Sequence, residues 1–380
     1  MTVTEAPRRV RRVLALSPIP EEGAGCRFRI SQFIPYLESV GYEVTVRPFF
    51  TPEFFRLVYR PGHYLKKIAA LVALSLGRWQ SLRGLSHYDL VFLYREAFPI
   101  GPPLIERWLA GSGKPPIVYD FDDAIFLPNV SDANRFIVSL KWAGKIPEIV
   151  RLSAQVIAGN DFLASVARRY NSSVLTIPTC VDTAKFMPRT DGRGGREPLV
   201  VGWIGSPTTA SYLSMLAGVF KNVHAATPFQ LKVSGAASDV AFDEVPVTNV
   251  PWSLADEVSL FNTCDIGVYP LTDDEWSKGK CGFKAIQFMA CGVPVVASAV
   301  GVNREIIEDG VNGFLATTAD EWETKLRTLL TDAALRAQFA EAGRRTVEQR
   351  YSLRVNAPKV AAVLDEVLAR RQPSRAVGEL

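Results

Sequence analysis

One stretch of the sequence, residues 276–301, constrains the fold more than any other. It reads WSKGKCGFKAIQFMACGVPVVASAVG. Apolar residues recur at helical spacing over residues 282–290, and Gly292 and Pro294 then end the predicted helix. Residues 293–297 form a short run rich in β-branched side chains, which is typical of a parallel strand buried on both faces. The stretch therefore predicts a polar loop, a helix and a buried strand of an α/β domain.

The loop that enters this predicted helix is suited to bind an anion. A helix N-terminus presents backbone N–H groups and the positive end of the helix dipole. Lys280 and Lys284 lie in or beside that loop, and together these groups predict an anion site. The alternative is an ordinary helix–strand unit whose lysines face water. The loop 205–209, which follows a predicted strand over 199–204, has the same potential for phosphate.

The composition excludes several classes of protein. A net charge of +4 does not by itself indicate nucleic acid, and no nucleic-acid partner is expected. The five cysteines are scattered without a C-x-x-C pair and the three histidines are not clustered, so neither a disulfide framework nor a zinc site is indicated. The N-terminal residues lack the apolar core of a signal peptide. We expect a cytoplasmic protein, which can lie at the inner face of the membrane, and no cofactor is indicated.

The chain of 380 residues is long enough for two domains. Predicted strands alternate with predicted helices in both halves, which indicates doubly wound parallel sheets. Residues 188–198, PRTDGRGGREP, combine glycine, proline and charge without periodicity and are the clearest linker. We therefore predict one domain over residues 1–190, a second over 191–354, and a final helix in 355–380 that packs back on the first domain.

The first half contains candidate binding groups at two predicted strand ends. Gly25 lies in the loop after the first strand, where it lets the backbone approach a ligand closely. Arg27 and Arg29 begin the predicted helix 27–40 and can hold an anionic group, although two solvated arginines would look the same. A dinucleotide fingerprint is rejected because Phe28 occupies its third glycine position. The acidic residues 120–123 follow another strand, where open α/β sheets bind ligands.

Residues 48–84 differ from the rest of the first half. Basic residues surround a short apolar run at 68–76, which is too short to span a bilayer. The segment can contact a membrane surface through residues 56–83, with its basic side chains on anionic lipid. The alternative is a buried helix with basic ends.

Four segments resemble the family-four retaining glycosyltransferases of the GT-B fold: residues 177–182, 200–206, 265–271 and 279–313. The last of them, with FMACGVPVVAS and GVNGFL, is the most specific. The resemblance implies two Rossmann-like parallel-sheet domains facing across a cleft. It also implies an enzyme of polysaccharide biosynthesis, a hexosyltransferase, that transfers a sugar with retention and without a metal.

The same resemblance assigns roles to the candidate residues. The C-terminal domain binds a UDP- or GDP-linked sugar, and the N-terminal domain binds a glycan, lipid-linked or small-molecule acceptor. The Asp120–Asp122 triplet also spells the D-x-D metal motif of the other glycosyltransferase fold, a role that the resemblance disfavours. The residue patterns and the resemblance together give these candidates: catalytic Asp122 and Lys280; donor-binding Gly205, Ser206, Trp252, Gly279, Lys280, Lys284 and Gln287; and acceptor-side Gly25, Arg27, Arg29 and Asp120.

The sequence departs from the family at key positions. Its usual pair of glutamates falls at Gly279 and Gln287, and its donor-domain arginine falls at Trp203. Gln287 can still bond a ribose hydroxyl without charge, and phosphate binding shifts to Gly205, Ser206, Lys280 and Lys284. These replacements define a branch with a GKCGFK signature. The lost glutamates leave two alternatives open: a non-catalytic sugar- or lipid-binding scaffold, and a sugar-nucleotide epimerase of the same fold.

Overall fold

The computed structural model describes residues 10–58, 60, 62–127, 142, 144–189, 198–236 and 238–371. The chain divides into two compact units. The first comprises Met1–Thr179 and Asn356–Leu380, and the second comprises Cys180–Val355. The predicted domain boundary at residue 190 lies outside the described residues.

The first unit is built on a six-stranded parallel sheet in the order β2-β1-β3-β4-β5-β6. Its strands are β1 Arg11–Ser17, β2 Tyr42–Pro48, β3 Leu90–Tyr94, β4 Ile117–Phe121, β5 Gln155–Ala158 and β6 Val174–Thr176. Strands β3, β4 and β5 are buried along their whole length. Their apolar side chains need cover on both faces, which the helices of a doubly wound fold provide.

The helices of this unit follow the strands in the alternation that the sequence predicts. They are α1 Ala24–Arg29, α2 Ile34–Ser39, α3 Pro52–Val58, α4 Tyr64–Ser81, α5 Leu104–Leu109, α6 Lys145–Leu152, α7 Asp161–Ala167 and the C-terminal helix α15 Leu353–Arg371. The single helix predicted over 27–40 is wrong, because a 3₁₀ turn at Ser31–Phe33 separates α1 from α2. Pro35 lies in the first turn of α2, where its missing N–H costs nothing, and so favours a new helix start there.

Helix α15 packs on the first unit. Asp365 accepts a 2.6 Å hydrogen bond from the Tyr42 hydroxyl and forms an ion pair with Arg11. Near the end of the helix, Arg371 donates to the Asp89 carbonyl at 3.1 Å. These contacts join α15 to β1, β2 and the start of β3.

The structure of helix α4 excludes one of the two interpretations of residues 48–84. Its apolar side chains Leu65, Ile68, Val72 and Leu76 are exposed. The interpretation as a buried helix with basic ends is therefore wrong, because the helix turns its apolar side to solvent. Among the described residues, no helix combines the length and the apolar character needed to cross a bilayer.

The second unit has another six-stranded parallel sheet, in the order β12-β11-β10-β7-β8-β9. Its strands are β7 Leu199–Ile204, β8 Phe229–Ser234, β9 Val247–Val250, β10 Ile266–Tyr269, β11 Val295–Ser298 and β12 Phe314–Ala316. Its helices are α8 Ala217–Ala226, α9 Glu257–Asn262, α10 Glu275–Lys278, α11 Phe283–Ala290, α12 Asn303–Ile306, α13 Ala319–Thr331 and α14 Ala333–Thr346. The stretch 276–301 supplies α11 and β11 as predicted, and both are buried.

Candidate active site

The strand order of the second sheet places a ligand site between β7 and β10. These two strands are neighbours, while the chain continues from β7 to one side and from β10 to the other. In open parallel sheets, ligands bind outside the carboxyl ends of the strands where the order reverses in this way. The loops that follow β7 and β10 are the two segments that the sequence predicts to bind phosphate.

The loop after β7 is tightly folded. Thr209 Oγ1 accepts from the Ser206 amide at 3.0 Å, and the Thr209 amide donates to the Ser206 carbonyl at 2.9 Å. A Cβ at Gly205 would lie 2.2 Å from the Trp203 ring, so only glycine fits there. Trp203 itself is buried in the core below the loop, and does not replace the arginine that the family has at its position.

The loop after β10 contains a short helix that the sequence does not predict. Asp274 caps α10 by accepting from the Ser277 amide at 2.7 Å, and Gly279 ends the helix. Burial opposes ionisation of Asp274, but hydrogen bonds from Thr272 and Ser277 lower its pKa below the ordinary value. A charged cap therefore fixes the first half of the loop.

Gly282 connects this loop to helix α11. Its φ of 63° lies in the left-handed region that favours glycine. A Cβ there would also lie 2.2 Å from Ile306 Cδ1 and 3.2 Å from Asn303 Oδ1. The backbone can therefore turn sharply into α11, whose first N–H groups have no partner inside the helix.

Two lysines of this loop have different surroundings. Lys278 is exposed in part and forms ion pairs with Glu275 at 3.0 Å and Asp273 at 3.8 Å. Lys280 is half-buried, with its ammonium 5.3 Å from the centre of the Trp276 ring. Its position between α10 and α11 agrees with the predicted place beside a helix N-terminus.

Lys284 and Gln287 belong to a buried polar chain. Lys284 Nζ donates to Gln287 Oε1 at 2.8 Å, and Gln287 Nε2 lies 3.5 Å from Glu257 Oε1. Glu257 Oε2 lies 3.9 Å from Lys185 Nζ. Glu257 and Gln287 are buried, Glu257 as the first residue of α9 and Gln287 one turn into α11. Sequence reasoning missed Glu257 because thirty residues separate it from Gln287.

The remaining predicted donor residue, Trp252, lies in the segment between β9 and α9 and is half-buried. Because it follows the carboxyl end of β9, it is at the same edge of the sheet as the loops after β7 and β10. The structure thus brings the predicted donor residues to one edge of the second sheet.

The first sheet has its own reversal of strand order, between β1 and β3. Tyr94, at the end of β3, donates from its hydroxyl to Asp122 Oδ1 at 2.8 Å. A Cβ at Gly25 would lie 2.1 Å from the Tyr94 hydroxyl oxygen, so this glycine makes room for the tyrosine. Gly25, Tyr94 and Asp122 therefore meet at the reversal point.

Arg95 completes this group and was not predicted. Its guanidinium contacts Asp122 Oδ1 at 2.7 Å and Asp123 Oδ2 at 3.0 Å. Burial alone would raise the pKa of Asp122, but the charge of Arg95 and the bonds from Arg95 and Tyr94 lower it. Arg95 also has a φ of 58°, which is uncommon outside glycine and typical of functional positions.

Arg29 and Asp120 form a buried ion pair. The guanidinium binds both carboxylate oxygens, at 2.8 and 2.5 Å, and also donates to the Ile177 carbonyl at 3.0 Å. Burial raises the pKa of Asp120, and Arg29 opposes that shift. Both residues are predicted on the acceptor side, but contact with an acceptor would require this pair to open. Arg27 is half-buried and donates to the Glu21 carbonyl at 2.8 Å.

The D-x-D triplet is thus divided between two arginines, Asp120 bonding to Arg29 and Asp122 to Arg95. In the part of the chain that the structure describes, no group of His, Cys, Asp and Glu side chains has the arrangement of a metal site.

Residues 198–332, which contain the edge of the second sheet with its two loops, match the family model described as glycosyl transferases group 1. Over these residues the chain is similar to the group 1 glycosyltransferases. The match covers β7 to α13 and therefore includes Gly205, Ser206, Trp252, Lys280 and Gln287.

Curated proteins with a glycosyltransferase description match part of the chain. One is D-inositol 3-phosphate glycosyltransferase from Xylanimonas cellulosilytica, 38% identical over 99 residues, which are 25% of this chain and 22% of that protein. A second, with the same description, is from Stackebrandtia nassauensis, 32% identical over 117 residues, 30% of this chain and 25% of that protein. The chain thus spans about a quarter of the length of the curated relatives it matches.

Solved structures confirm the predicted GT-B fold. Sucrose-phosphate synthase from Thermosynechococcus elongatus aligns with 95% of this chain and 100% of its own, with a TM-score of 0.68 and 17% identity. Anabaena Alr3699/HepE in complex with UDP-glucose aligns with 93% of this chain and 99% of its own, with a TM-score of 0.62 and 20% identity. At this level of identity the likeness concerns the fold alone.

Proposed function

We propose that the protein is a retaining, metal-independent glycosyltransferase that moves a sugar from a UDP- or GDP-linked donor to a glycan, lipid-linked or small-molecule acceptor. One observation carries the proposal. The segment that matches the group 1 glycosyltransferase model brings the loop 205–209, a helix N-terminus and Lys280 to the reversal point of its sheet. Those groups favour a diphosphate.

The proposed chemistry needs stabilisation of the departing diphosphate. Its negative charge grows as the glycosidic bond breaks, so a fixed positive group is worth more in the transition state than in the bound donor. Lys280 supplies that group, and the N–H groups at the start of α11 add to it. Gly205 and Ser206 bind the phosphates from the neighbouring strand.

We assign the ribose hydroxyls to Gln287 and Glu257. The family's second glutamate falls at Gln287, whose amide is already bonded to Lys284. Glu257 lies beside it, so a carboxylate is still present at this position although it comes from helix α9. A carboxylate accepts hydrogen bonds from hydroxyls more strongly than a neutral amide does.

We assign the acceptor to Asp122 in the first unit. Tyr94 and Arg95 hold its carboxylate ionised and in one orientation. An ionised carboxylate can orient an acceptor hydroxyl or stabilise positive character on the reacting sugar. Anabaena Alr3699/HepE, which shares the fold, was solved with UDP-glucose, and a UDP-linked donor is therefore the first one to test on this chain.

A panel of UDP-, GDP- and ADP-sugars in a thermal-shift assay tests the donor. Binding stabilises the folded state by RT ln(1 + [L]/Kd), which is about 2.7 kcal/mol at a hundredfold excess over Kd. We expect a UDP- or GDP-sugar to raise the melting temperature and to be hydrolysed slowly without an acceptor. If no nucleotide-sugar raises the melting temperature, the donor site proposed here is wrong.

The absence of the glutamate pair at Gly279 and Gln287 favours one other candidate, a binding scaffold without catalysis. A scaffold would be stabilised by a nucleotide-sugar but would release neither nucleotide nor sugar. An epimerase would convert the donor with no acceptor present. Product analysis after incubation with the stabilising donor separates the three.

A further inference from the structure

Helix α4 carries an apolar stripe on its solvent side. Leu65, Ile68, Val72, Leu76 and Trp79 follow one another at intervals of three or four residues, so they lie along one side of the helix. Their exposed fractions are 84%, 60%, 57%, 62% and 46%. Contiguous exposed apolar surface of this kind marks an interaction site.

The opposite side of the helix is anchored. Arg78 is buried, and its guanidinium donates to the Arg47 carbonyl at 2.8 Å and the Ser17 carbonyl at 2.9 Å. It also lies 5.6 Å from the centre of the Phe49 ring. The stripe cannot turn inward without breaking these bonds, so its exposure follows from how the helix packs.

The stripe continues onto helix α5. The Trp108 ring lies 6.1 Å from the Trp79 ring, and Leu104, one turn earlier, is exposed. The ammonium of Lys114 lies 3.7 Å from the centre of the Trp108 ring. We call the stripe with Leu104 and Trp108 the apolar face. Tryptophans at its end are the residues that favour a membrane–water interface.

The border of the apolar face is positive. The sequence contains no aspartate or glutamate between Glu53 and Asp89, while it contains six basic residues there. Of these, Arg60, Lys66 and Arg83 are exposed beside or at the ends of α4. A face that is apolar at its centre and cationic at its border is complementary to an anionic lipid surface.

We propose that the apolar face docks this protein on the surface of an anionic lipid bilayer. Helix α4 lies along the interface, because it is not long and apolar enough to cross. Its apolar stripe enters the headgroup region, and the basic residues at its border contact anionic headgroups. The proposal goes beyond glycosyl transfer, since docking requires neither a donor nor catalysis.

Co-sedimentation of the full chain with vesicles tests the proposal. One set of vesicles contains phosphatidylcholine alone, and the other contains phosphatidylcholine with phosphatidylglycerol. We expect the protein to pellet with the anionic vesicles and much less with the neutral ones. Raising the salt from about 0.15 M to about 1 M shortens the screening length from roughly 8 Å to 3 Å and should release much of it.

A matched pair of variants identifies the face. Val72→Glu places a charge in the middle of the stripe, while Val311→Glu makes the same change at an exposed valine of the second unit. We expect Val72→Glu to weaken vesicle binding by about tenfold or more, the loss that corresponds to one buried valine. Val311→Glu should bind as the wild type does. Both sites are exposed, so neither change should prevent folding.

Three results would overturn the proposal. The wild type could remain in the supernatant with both kinds of vesicle. Val72→Glu could pellet as well as Val311→Glu, which would place docking elsewhere. Light scattering could instead show a self-associated wild type that Val72→Glu makes monomeric, in which case the face joins copies of this chain. Nucleotide-sugar binding is measured separately, so a failure of docking leaves the transferase proposal unaffected.

Discussion

At the carboxyl edge of the first sheet, Asp122 meets Arg95 and Asp120 meets Arg29, so each carboxylate faces a guanidinium. At the corresponding edge of the second sheet, Lys280 lies beside glycines and the N-terminus of helix α11, and its ammonium is 5.3 Å from the centre of the Trp276 ring. The first edge therefore presents oriented carboxylates. The second edge presents backbone N–H groups and a cation, which is the arrangement that a diphosphate requires.

This difference suits the two edges to different substrates. A neutral acceptor hydroxyl needs orientation more than charge, and a paired, ionised carboxylate provides a fixed acceptor for its proton. A departing diphosphate needs positive charge in place before the bond breaks. We therefore propose that the donor binds at the edge of the second sheet and the acceptor at the edge of the first.

The largest effect is expected from Lys280→Ala. Removing one preorganised positive group should lower turnover by about 10²–10³-fold, because that group acts mainly in the transition state. Donor affinity should weaken less. Steady-state kinetics with the stabilising donor measures both quantities.

Lys278→Ala is the control for that prediction. Lys278 lies two residues away in the same loop and is engaged by Glu275 and Asp273. Its loss should change turnover by less than about twofold, as expected for an exposed ion pair. Equal losses for the two variants would mean that loop folding, not charge at the diphosphate, controls the rate. If Lys284→Ala alone lost activity, the phosphate site would lie one helical turn further on.

The next effect is expected from Asp122→Asn, which keeps the size of the side chain and removes its charge. Transfer should fall by about 10- to 100-fold, since a positioned acid–base or orienting group contributes roughly that much or more. Donor affinity should stay nearly unchanged. Asp123→Asn is the matched control, because Asp123 is the neighbouring carboxylate and also contacts Arg95, at 3.0 Å. A larger loss in Asp123→Asn than in Asp122→Asn would contradict the assignment.

The pH dependence of the Asp122 effect provides a second check. Arg95 and Tyr94 lower the pKa of Asp122 against the opposing effect of burial. A carboxyl group with a lowered pKa stays ionised above the ordinary value of about 4 and loses its charge only as the pH falls through its own pKa. The ratio of wild-type to Asp122→Asn activity should therefore be constant from about pH 5 to pH 8. A ratio that falls towards one as the pH drops from 7 to 5 would show a protonated Asp122.

A smaller effect is expected from Glu257→Gln. If Glu257 accepts a ribose hydroxyl, the wild type should prefer UDP over 2′-deoxy-UDP by several-fold, and the variant should lose about three- to tenfold in UDP affinity together with that preference. Glu275→Gln, in the exposed loop helix, should behave as the wild type. If Glu257→Gln kept the preference for UDP over 2′-deoxy-UDP, the role of Glu257 would be structural, beside Gln287 and Lys284.

Much of the fold behind this comparison can be predicted from the sequence, because short sequence patterns determine where the helices and strands lie. Gly282, Gly292 and Pro294 mark the ends of α11, and β-branched runs mark the buried strands, so the alternation of strands and helices predicts two doubly wound parallel sheets but not their strand orders. The break between α1 and α2 was missed although Pro35 signals it. The short helix α10 was missed because its cap, Asp274, lies in a polar loop without apolar periodicity.

Short sequence patterns do not predict which side chains interact with one another. Arg29 meets Asp120 across ninety-one positions, and Gln287 meets Glu257 across thirty. Nothing in the spacing of these residues specifies a partner, because the sheet topology alone brings them together. The exposure of the apolar side of α4 is not predictable for a similar reason. Periodicity shows that a helix has an apolar side but not whether another element covers it.

The affinity of the wild type for UDP compared with uridine tests the central claim most directly. If the edge of the second sheet binds a diphosphate, titration calorimetry should find UDP bound at least about a hundredfold more tightly than uridine, equivalent to about 2.7 kcal/mol. Lys280→Ala should lower this ratio of affinities while leaving uridine binding unchanged. Lys278→Ala should leave the ratio unchanged. Should a GDP-sugar be the stabilising donor, GDP and guanosine take the places of UDP and uridine. Equal binding of nucleoside and nucleoside diphosphate, or a ratio that Lys280→Ala does not alter, would contradict the account.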